Sequence, residues 1–221
     1  EEGSDLVITG RTSSRLEEAK AKLEAEYGIK VLPIVADGAD EDAIKNVVAQ
    51  AVATFGKITT LINNAQVSKS GVPLIEHTRE DFDLAINSGL YAAFFYMREC
   101  YPYLKESHGS VINFASGAGL FGKLGQSSYA AAKEGIRGLS RVAAAEWGPD
   151  GIRVNVVCPL AMTESLREWR ENFPELFEKT IQGIPLGHFA DPKGDIGRVC
   201  VFLASEDAEY VTGETITLQG G

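Results

Sequence analysis

The feature that most constrains the fold is an alternation of short apolar, β-branched runs with longer stretches of helical periodicity. The runs read as strands are Asp5–Thr9, Lys30–Ala36, Thr60–Asn63, Ser110–Phe114, Arg153–Val157 and Glu214–Leu218. They are apolar runs more than strict in–out alternations, the pattern of strands covered on both faces of a parallel sheet. Between the first two, Ser14–Tyr27 puts Leu16, Ala19, Leu23 and Tyr27 on one helical face, and Gly28 ends it. From Asp40, a natural N-cap, to Phe55, an apolar face is built from Ile44, Val47, Val48, Ala51 and Val52. Further helical stretches are Arg79–Glu106, which Pro102 should distort, a helix opening near Ser127 or Ser128, either a candidate N-cap, and running to Trp147, and Lys193–Leu203. Pro33 suggests an edge position for the second strand. The expected fold is α/β, a doubly wound parallel sheet of Rossmann-like type, in one domain over residues 1–221.

A net charge of -10 argues against nucleic acid or an anionic membrane as partner, since both favour a basic surface. No apolar run approaches the roughly 18 residues of a membrane span. Glu1–Asp5 lacks the basic and apolar regions of a signal peptide. Cys100, Cys158 and Cys200 are odd in number and set in apolar surroundings, which reads as reduced core thiols in a cytoplasmic protein. His77, His108 and His188 have no metal-ligand spacing, so no metal site is expected.

In folds of this kind ligands collect at the carboxyl ends of the strands. Gly10–Arg11, Asp37, Asn63–Asn64, Ser116 and Pro159 all fall there, and that convergence points to a dinucleotide cleft. The Ser110 strand delivers Ser116 into a glycine-rich turn holding Gly117, Gly119, Gly122 and Gly125. Beyond it Tyr129 and Lys133 stand four apart, on one face of a helix. A tyrosine ionises near pH 10, too high for an efficient base at neutrality, and a neighbouring ammonium lowers it. Ala130–Ala132 keep the helix surface low enough for a flat ring to approach. Ser116 can donate to a substrate oxygen as charge develops on it. Tyr-x-x-x-Lys alone is equally an ordinary exposed pair; the strand-end serine upstream and the intervening glycines give it weight.

At these residues the chain resembles the short-chain dehydrogenase/reductase family. The resemblance runs from the first strand to the last residue. It rests on Asn63-Asn-Ala65, Asn87, Ser116, Tyr129-x-x-x-Lys133, Arg153-Val-Asn-Val-Val-Cys-Pro159 and the closing Val211–Gly221. It implies that Tyr129 exchanges a proton with the substrate oxygen while hydride passes to or from a nicotinamide, and that Ser116 polarises that oxygen. Lys133 would bind the nicotinamide ribose and hold the Tyr129 pKa down. Asn87 would support a relay water; its alternative role is a helix asparagine bonded to backbone. By the same resemblance Asp37 meets the adenine, Asn63 and Ala65 line the adenosine ribose, and Pro159 and Thr163 line the nicotinamide end. The alternative for Asp37 is a helix-capping turn.

Cofactor choice follows from charge. Enzymes for NAD usually place a carboxylate after the second strand of the fold. Here that position holds Gly10 and Arg11, with Thr12, Ser13 and Ser14 beyond. A guanidinium beside hydroxyls suits a 2′-phosphate, so NADP(H) is expected over NAD(H).

Several departures accompany the resemblance. The family begins with a strand, a glycine-rich turn and a helix ahead of the strand seen here at Asp5. Glu1–Gly3 reads as the tail of that helix. The missing strand, part of a unit of about 30 residues, belongs between the Asp5 and Thr60 strands. Its absence leaves a gap of about 10 Å, two strand spacings. The expectation is that the segment exists in the natural protein. Gln66 stands where glycine usual to the family would follow Asn-Asn-Ala, and Leu160 and Ala161 follow Pro159 in place of the usual glycine.

Residues 160–192 are expected to hold the substrate-loop segment. Met162, Leu166, Trp169, Phe173, Leu176, Phe177, Ile181 and Phe189 are interleaved there with charges. They suit either helices packed on the core or a lid over an apolar or mixed carbonyl substrate. The substrate is a small-molecule carbonyl or alcohol that these residues do not identify: oxoacyl thioesters, sugars, polyols and small ketones all remain open. The family resemblance implies a homotetramer, to which Trp147 and the last strand could contribute contacts. The alternative function is a non-catalytic dinucleotide-binding or structural homologue, which would have no need of Ser116, Tyr129 and Lys133 together.

Overall fold

A computed structural model describes residues 1–221, apart from the side chain of Ser165. Strands β1 (Leu6–Gly10) and β2 (Val31–Val35) pair in parallel. A second parallel sheet has the order β3 (Thr60–Asn63), β4 (Ser110–Phe114), β5 (Arg153–Pro159), β6 (Thr215–Leu218). Parallel neighbours need crossovers, and helices supply them. These are α1 (Ser13–Tyr27), α2 (Glu41–Phe55), α3 (Arg79–Ala85), α4 (Ala92–Ser107), α5 (Gly117–Phe121), α6 (Ser127–Trp147), α7 (Glu164–Asn172), α8 (Pro174–Ile181) and α9 (Arg198–Ala204).

Local chemistry sets several boundaries. The Asp40 carboxylate accepts from the Asp42 and Ala43 amides at 2.9 and 3.1 Å and opens α2. Gly28 and Gly56 close α1 and α2 in the left-handed region, at φ 66° and 76°. Pro33 can donate no ladder bond, and β2 pairs only with β1, an edge position.

Alternation along the central strands sends Val111 and Val154 into a cluster with Met97, Cys100 and Leu104 of α4 and Ala143 of α6. Ile112 and Val157 point the other way, onto Leu203 of α9. The β1–β2 sheet has a smaller core: Ile34, Ala36 and Val47, with Val7, Leu32 and Tyr96 packed against them.

Between β1 and β3 the two sheets are separate, at the place where the sequence reading put one further strand. A cavity of about 1320 Å³ lies there, with Leu6, Val7 and Thr9 on one wall and Leu61, Ile62 and Asn63 on the other.

Several expectations are corrected. The stretch 79–106 is not one α-helix: a π turn over Ile86–Tyr91 separates α3 from α4. Pro102 lies inside α4, with buried Met97, Cys100 and Leu104 packed on either side of it. Helix α6 is preceded by Gln126, not by a serine cap; Ser127 and Ser128 lie in its first turn, their hydroxyls buried without partners. The glycine-rich turn after Ser116 begins as the short helix α5, and a second π turn, Pro192–Gly197, precedes α9.

Candidate active site

Strand β4 carries the chain through buried Ala115 to Ser116, which is extended (φ −156°) and caps α5 by accepting from the Ala118 amide at 3.1 Å. Helix α6 crosses this point. Its first turns present Tyr129, whose phenol lies beside the Ser116 side chain, and Lys133, only 4% exposed. The Lys133 Nζ donates to the Phe114 carbonyl at 2.6 Å and lies 5.6 Å from the Tyr129 ring centroid. A hydroxyl, a phenol and an amine thus meet at the carboxyl end of β4.

Burial dominates their acidities. Loss of water pulls the Lys133 ammonium from its ordinary 10.5 down to about 8. It pushes the Tyr129 phenol up, and the neighbouring Ser116 hydroxyl offsets part of that rise. The expectation that Lys133 lowers Tyr129 is therefore not what this geometry gives. The net direction for the phenol is upward, because the phenolate would be desolvated while the ammonium is directed at Phe114.

The cavity between the sheets brings together Arg11, Asp37, Asn63, Ala65, Asn87 and Lys133. Ser116, Tyr129, Pro159 and Thr163 are not among its walls. Arg11 is exposed just beyond β1, and among the described residues no carboxylate forms an ion pair with it. Asp37 accepts from the Ala39 amide at 3.0 Å, forming a turn just ahead of α2. The Asn63 amide donates to Asn113 Oδ1 at 2.8 Å, so one of its polar groups is engaged within the sheet. Asn87 sits in the π turn and is exposed. Thr163 caps α7 by accepting from the Leu166 amide at 3.3 Å, and Pro159 ends β5 opposite Leu218.

The role of Asn113 and the packing of Gln66 went unread in the sequence. Asn113, fully buried, donates to Ser140 Oγ at 2.8 Å while accepting from Asn63, and so locks β3, β4 and α6 together behind the site. The available signal was a lone amide inside an otherwise apolar strand. Gln66 lies over the π turn: a Cβ on Gly89 would come within 2.7 Å of its Cδ, its Nε2 is 3.5 Å from the Ala85 carbonyl, and its Oε1 is buried without a partner. The Asn-Asn-Ala-Gln departure is accommodated by glycine at 89.

Among the described residues no group of three or more His, Cys, Asp or Glu could hold a metal ion. No described helix is long and apolar enough to cross a membrane.

A family model described as enoyl-(acyl carrier protein) reductase matches residues 1–221. A 12alpha-hydroxysteroid dehydrogenase from a Clostridium species is 62% identical over 224 residues, covering 100% of this chain and 86% of that relative. A 3-oxoacyl-(acyl carrier protein) reductase of Thermotoga maritima is 35% identical, covering 100% of this chain and 88% of its own length. Among solved structures, levodione reductase superposes with a TM-score of 0.92 at 33% identity, over 100% of this chain and 88% of that one. NAD+-bound xylitol dehydrogenase also gives 0.92, at 25% identity, over 100% and 90%. With parallel α/β topology, a family model spanning the whole chain and these relatives, the chain belongs to the short-chain dehydrogenase/reductase family of oxidoreductases.

Proposed function

We propose that the protein interconverts a secondary alcohol and its ketone with NADP(H), and that its substrate is a hydroxysteroid or oxosteroid. The observation that carries the reading is the meeting of Ser116, Tyr129 and Lys133 at the end of β4. The steroid follows from the relative with 62% identity, whose name states that substrate class.

The nicotinamide, when bound, supplies or accepts the hydride. Tyr129 gives its phenolic proton to the ketone oxygen in reduction and recovers it in oxidation. Ser116 donates a hydrogen bond to the same oxygen and so favours the developing alkoxide. Lys133, with a pKa near 8, is mostly protonated at pH 7, and its ammonium would hold the ribose hydroxyls. Asn87 supports the relay water between Lys133 and solvent.

A dinucleotide would lie along the strand-carboxyl end of the sheets, where Arg11, Asp37, Asn63, Ala65 and Asn87 line the rim of the inter-sheet cavity. Arg11 would hold the 2′-phosphate, Asp37 the adenine, Asn63 and Ala65 the adenosine ribose, and Pro159 and Thr163 the nicotinamide end. The NAD+ in the solved xylitol dehydrogenase makes this preference a point to measure. Residues 160–192 would form the substrate segment of a single-domain enzyme. Phe177, Ile184 and Phe189 give it a core of its own, and Phe173, Leu176 and Leu186 remain exposed for an apolar ligand. A cytoplasmic homotetramer completes the proposal, supported by three unpaired cysteines and by exposed Phe94 and Val142 on α4 and α6.

The test is NADPH oxidation, followed by absorbance, against an oxosteroid, a 3-oxoacyl thioester and a ketose. Turnover fastest with the oxosteroid and abolished by Tyr129→Phe is expected. Unchanged activity in that variant would remove the mechanism; a preference for the thioester or the ketose would remove the steroid.

A further inference from the structure

The Ser116 hydroxyl is positioned by a short helix that has little to hold it. Helix α5 has five residues, of which Ala118 is buried and Leu120 packs on Ala115, Val156 and Cys158. The other two positions of its first turn, Gly117 and Gly119, present bare backbone. Each is met by a polar side chain from a different element. A Cβ on Gly119 would lie 2.6 Å from Oε1 of Glu134, on α6. A Cβ on Gly117 would lie 2.1 Å from Nε2 of Gln219, just past β6. Both distances are below any ordinary Cβ contact, so the ends of these side chains lie in the space that glycine leaves open and would have to move for a methyl group.

The Glu134 group is anchored. Glu134 Oε2 accepts from Arg137 at 2.6 Å, and the Arg137 Nε reaches Thr215 Oγ1 at 3.4 Å, on β6. Glu134 Oε1 is shielded from solvent and has no hydrogen-bond partner. A carboxylate oxygen left without a donor is costly, so its placement against Gly119 is imposed by the Arg137 pair. Arg137 therefore fastens α6 to the strand that precedes Gln219, and the two side chains close on α5 from either side.

We infer that Glu134 and Gln219 are positioning residues of this enzyme, which clamp α5 through Gly119 and Gly117 and thereby hold the Ser116 hydroxyl on Tyr129. The inference rests on the function proposed above. Neither residue lines the inter-sheet cavity; each acts through Ser116. Truncating either frees α5 to shift, which lengthens the Ser116–Tyr129 contact.

The experiment is a double-mutant cycle with steady-state kinetics in the full-length enzyme. Glu134→Ala and Gln219→Ala are each expected to lower kcat about tenfold, with the KM for NADP(H) unchanged and the apparent pKa of the kcat profile raised. In a Ser116→Ala background the same substitutions should have no further effect. Gly119→Ala should lower kcat several-fold, and Gly119→Ala combined with Glu134→Ala should recover part of that loss, because the added methyl fills the vacated space. Glu134→Gln, which keeps the shape, should recover most of the activity. An equal loss in the Ser116→Ala background, or a raised cofactor KM with kcat intact, would overturn the inference. Hydrogen exchange over residues 117–121 provides a readout apart from activity: it should accelerate in Glu134→Ala and Gln219→Ala with the melting temperature retained. Unchanged exchange overturns the clamp whether or not the enzyme turns over. A wild-type enzyme inactive on every carbonyl while exchange accelerates would instead count against the proposed reaction, leaving the clamp in place.

Discussion

The two sheets of this molecule are built to different standards. Strands β4 and β5 are buried along nearly their whole length, with clusters on both faces. Strands β1 and β2 are half-buried, and their core is a single small cluster. The dense sheet ends in Ser116 and supports Tyr129 and Lys133; the thin one ends in Arg11 and Asp37, both exposed. Proton transfer tolerates little positional error, since misplacement of about 1 Å can cost about 10²-fold. Charge recognition of a phosphate at an exposed guanidinium tolerates more. The contrast in packing follows the contrast in what each end is proposed to do.

The largest test of this contrast is Tyr129→Phe, which removes the proton donor while keeping the ring. A loss of about 10²–10⁴-fold in kcat is expected, with folding intact by circular dichroism. Residual activity near wild type would mean that the dense sheet does not carry the chemistry.

Next comes packing itself. Ile112→Ala, in the centre of the dense sheet, should cost about 2–5 kcal/mol in urea unfolding. Val7→Ala, in the thin one, should cost about 1 kcal/mol, because its side chain is only partly withdrawn from water. Equal costs would erase the comparison.

Arg11→Asp addresses the thin sheet's function. Loss of a charge-assisted bond of about 1.5–3 kcal/mol should weaken NADPH binding by roughly 10–100-fold, with NADH much less affected. Titration by fluorescence measures both. Parallel losses for the two cofactors would remove Arg11 from the 2′-phosphate.

The smallest effect concerns Lys133. Its pKa falls from 10.5 to about 8 on folding, because burial opposes the charge. Between those values the unfolded chain binds the proton more tightly, so stability rises with pH across about 8 to 10.5, and the penalty is fully present below 8. Lys133→Met should remove that penalty. It forfeits the bond to the Phe114 carbonyl, leaving a net gain of about 1–2 kcal/mol at pH 7. The variant should also show a flatter stability profile above pH 8. A less stable variant would show that the amine is satisfied where it sits.

Much of this architecture was legible in sequence because it is local. Apolar runs name strands, three- and four-residue spacing names helices, and Asp40, Gly28 and Gly56 mark helix ends through their own side chain or backbone freedom. The spacing of Tyr129 and Lys133 puts them on one face without any tertiary knowledge. The π turn at Ile86–Tyr91 was not legible: it occurs where Gln66, twenty residues upstream, lies against Gly89, and no local pattern records that contact. Pro102 stays inside α4, where packing on the sheet outweighs one missing donor.

By itself, then, the sequence determined the order of strands and helices, the parallel α/β class and the serine, tyrosine and lysine at the end of β4. Periodicity, capping and motif spacing act over a few residues, and the chain carries them wherever it folds. Tertiary structure alone decided that Lys133 is buried and its ammonium weakened, that the net shift of Tyr129 is upward, and that Glu134 and Gln219 close on α5. Those outcomes depend on which distant segments exclude water from a side chain or fill the space beside a glycine, and that is settled only when the sheets and helices pack.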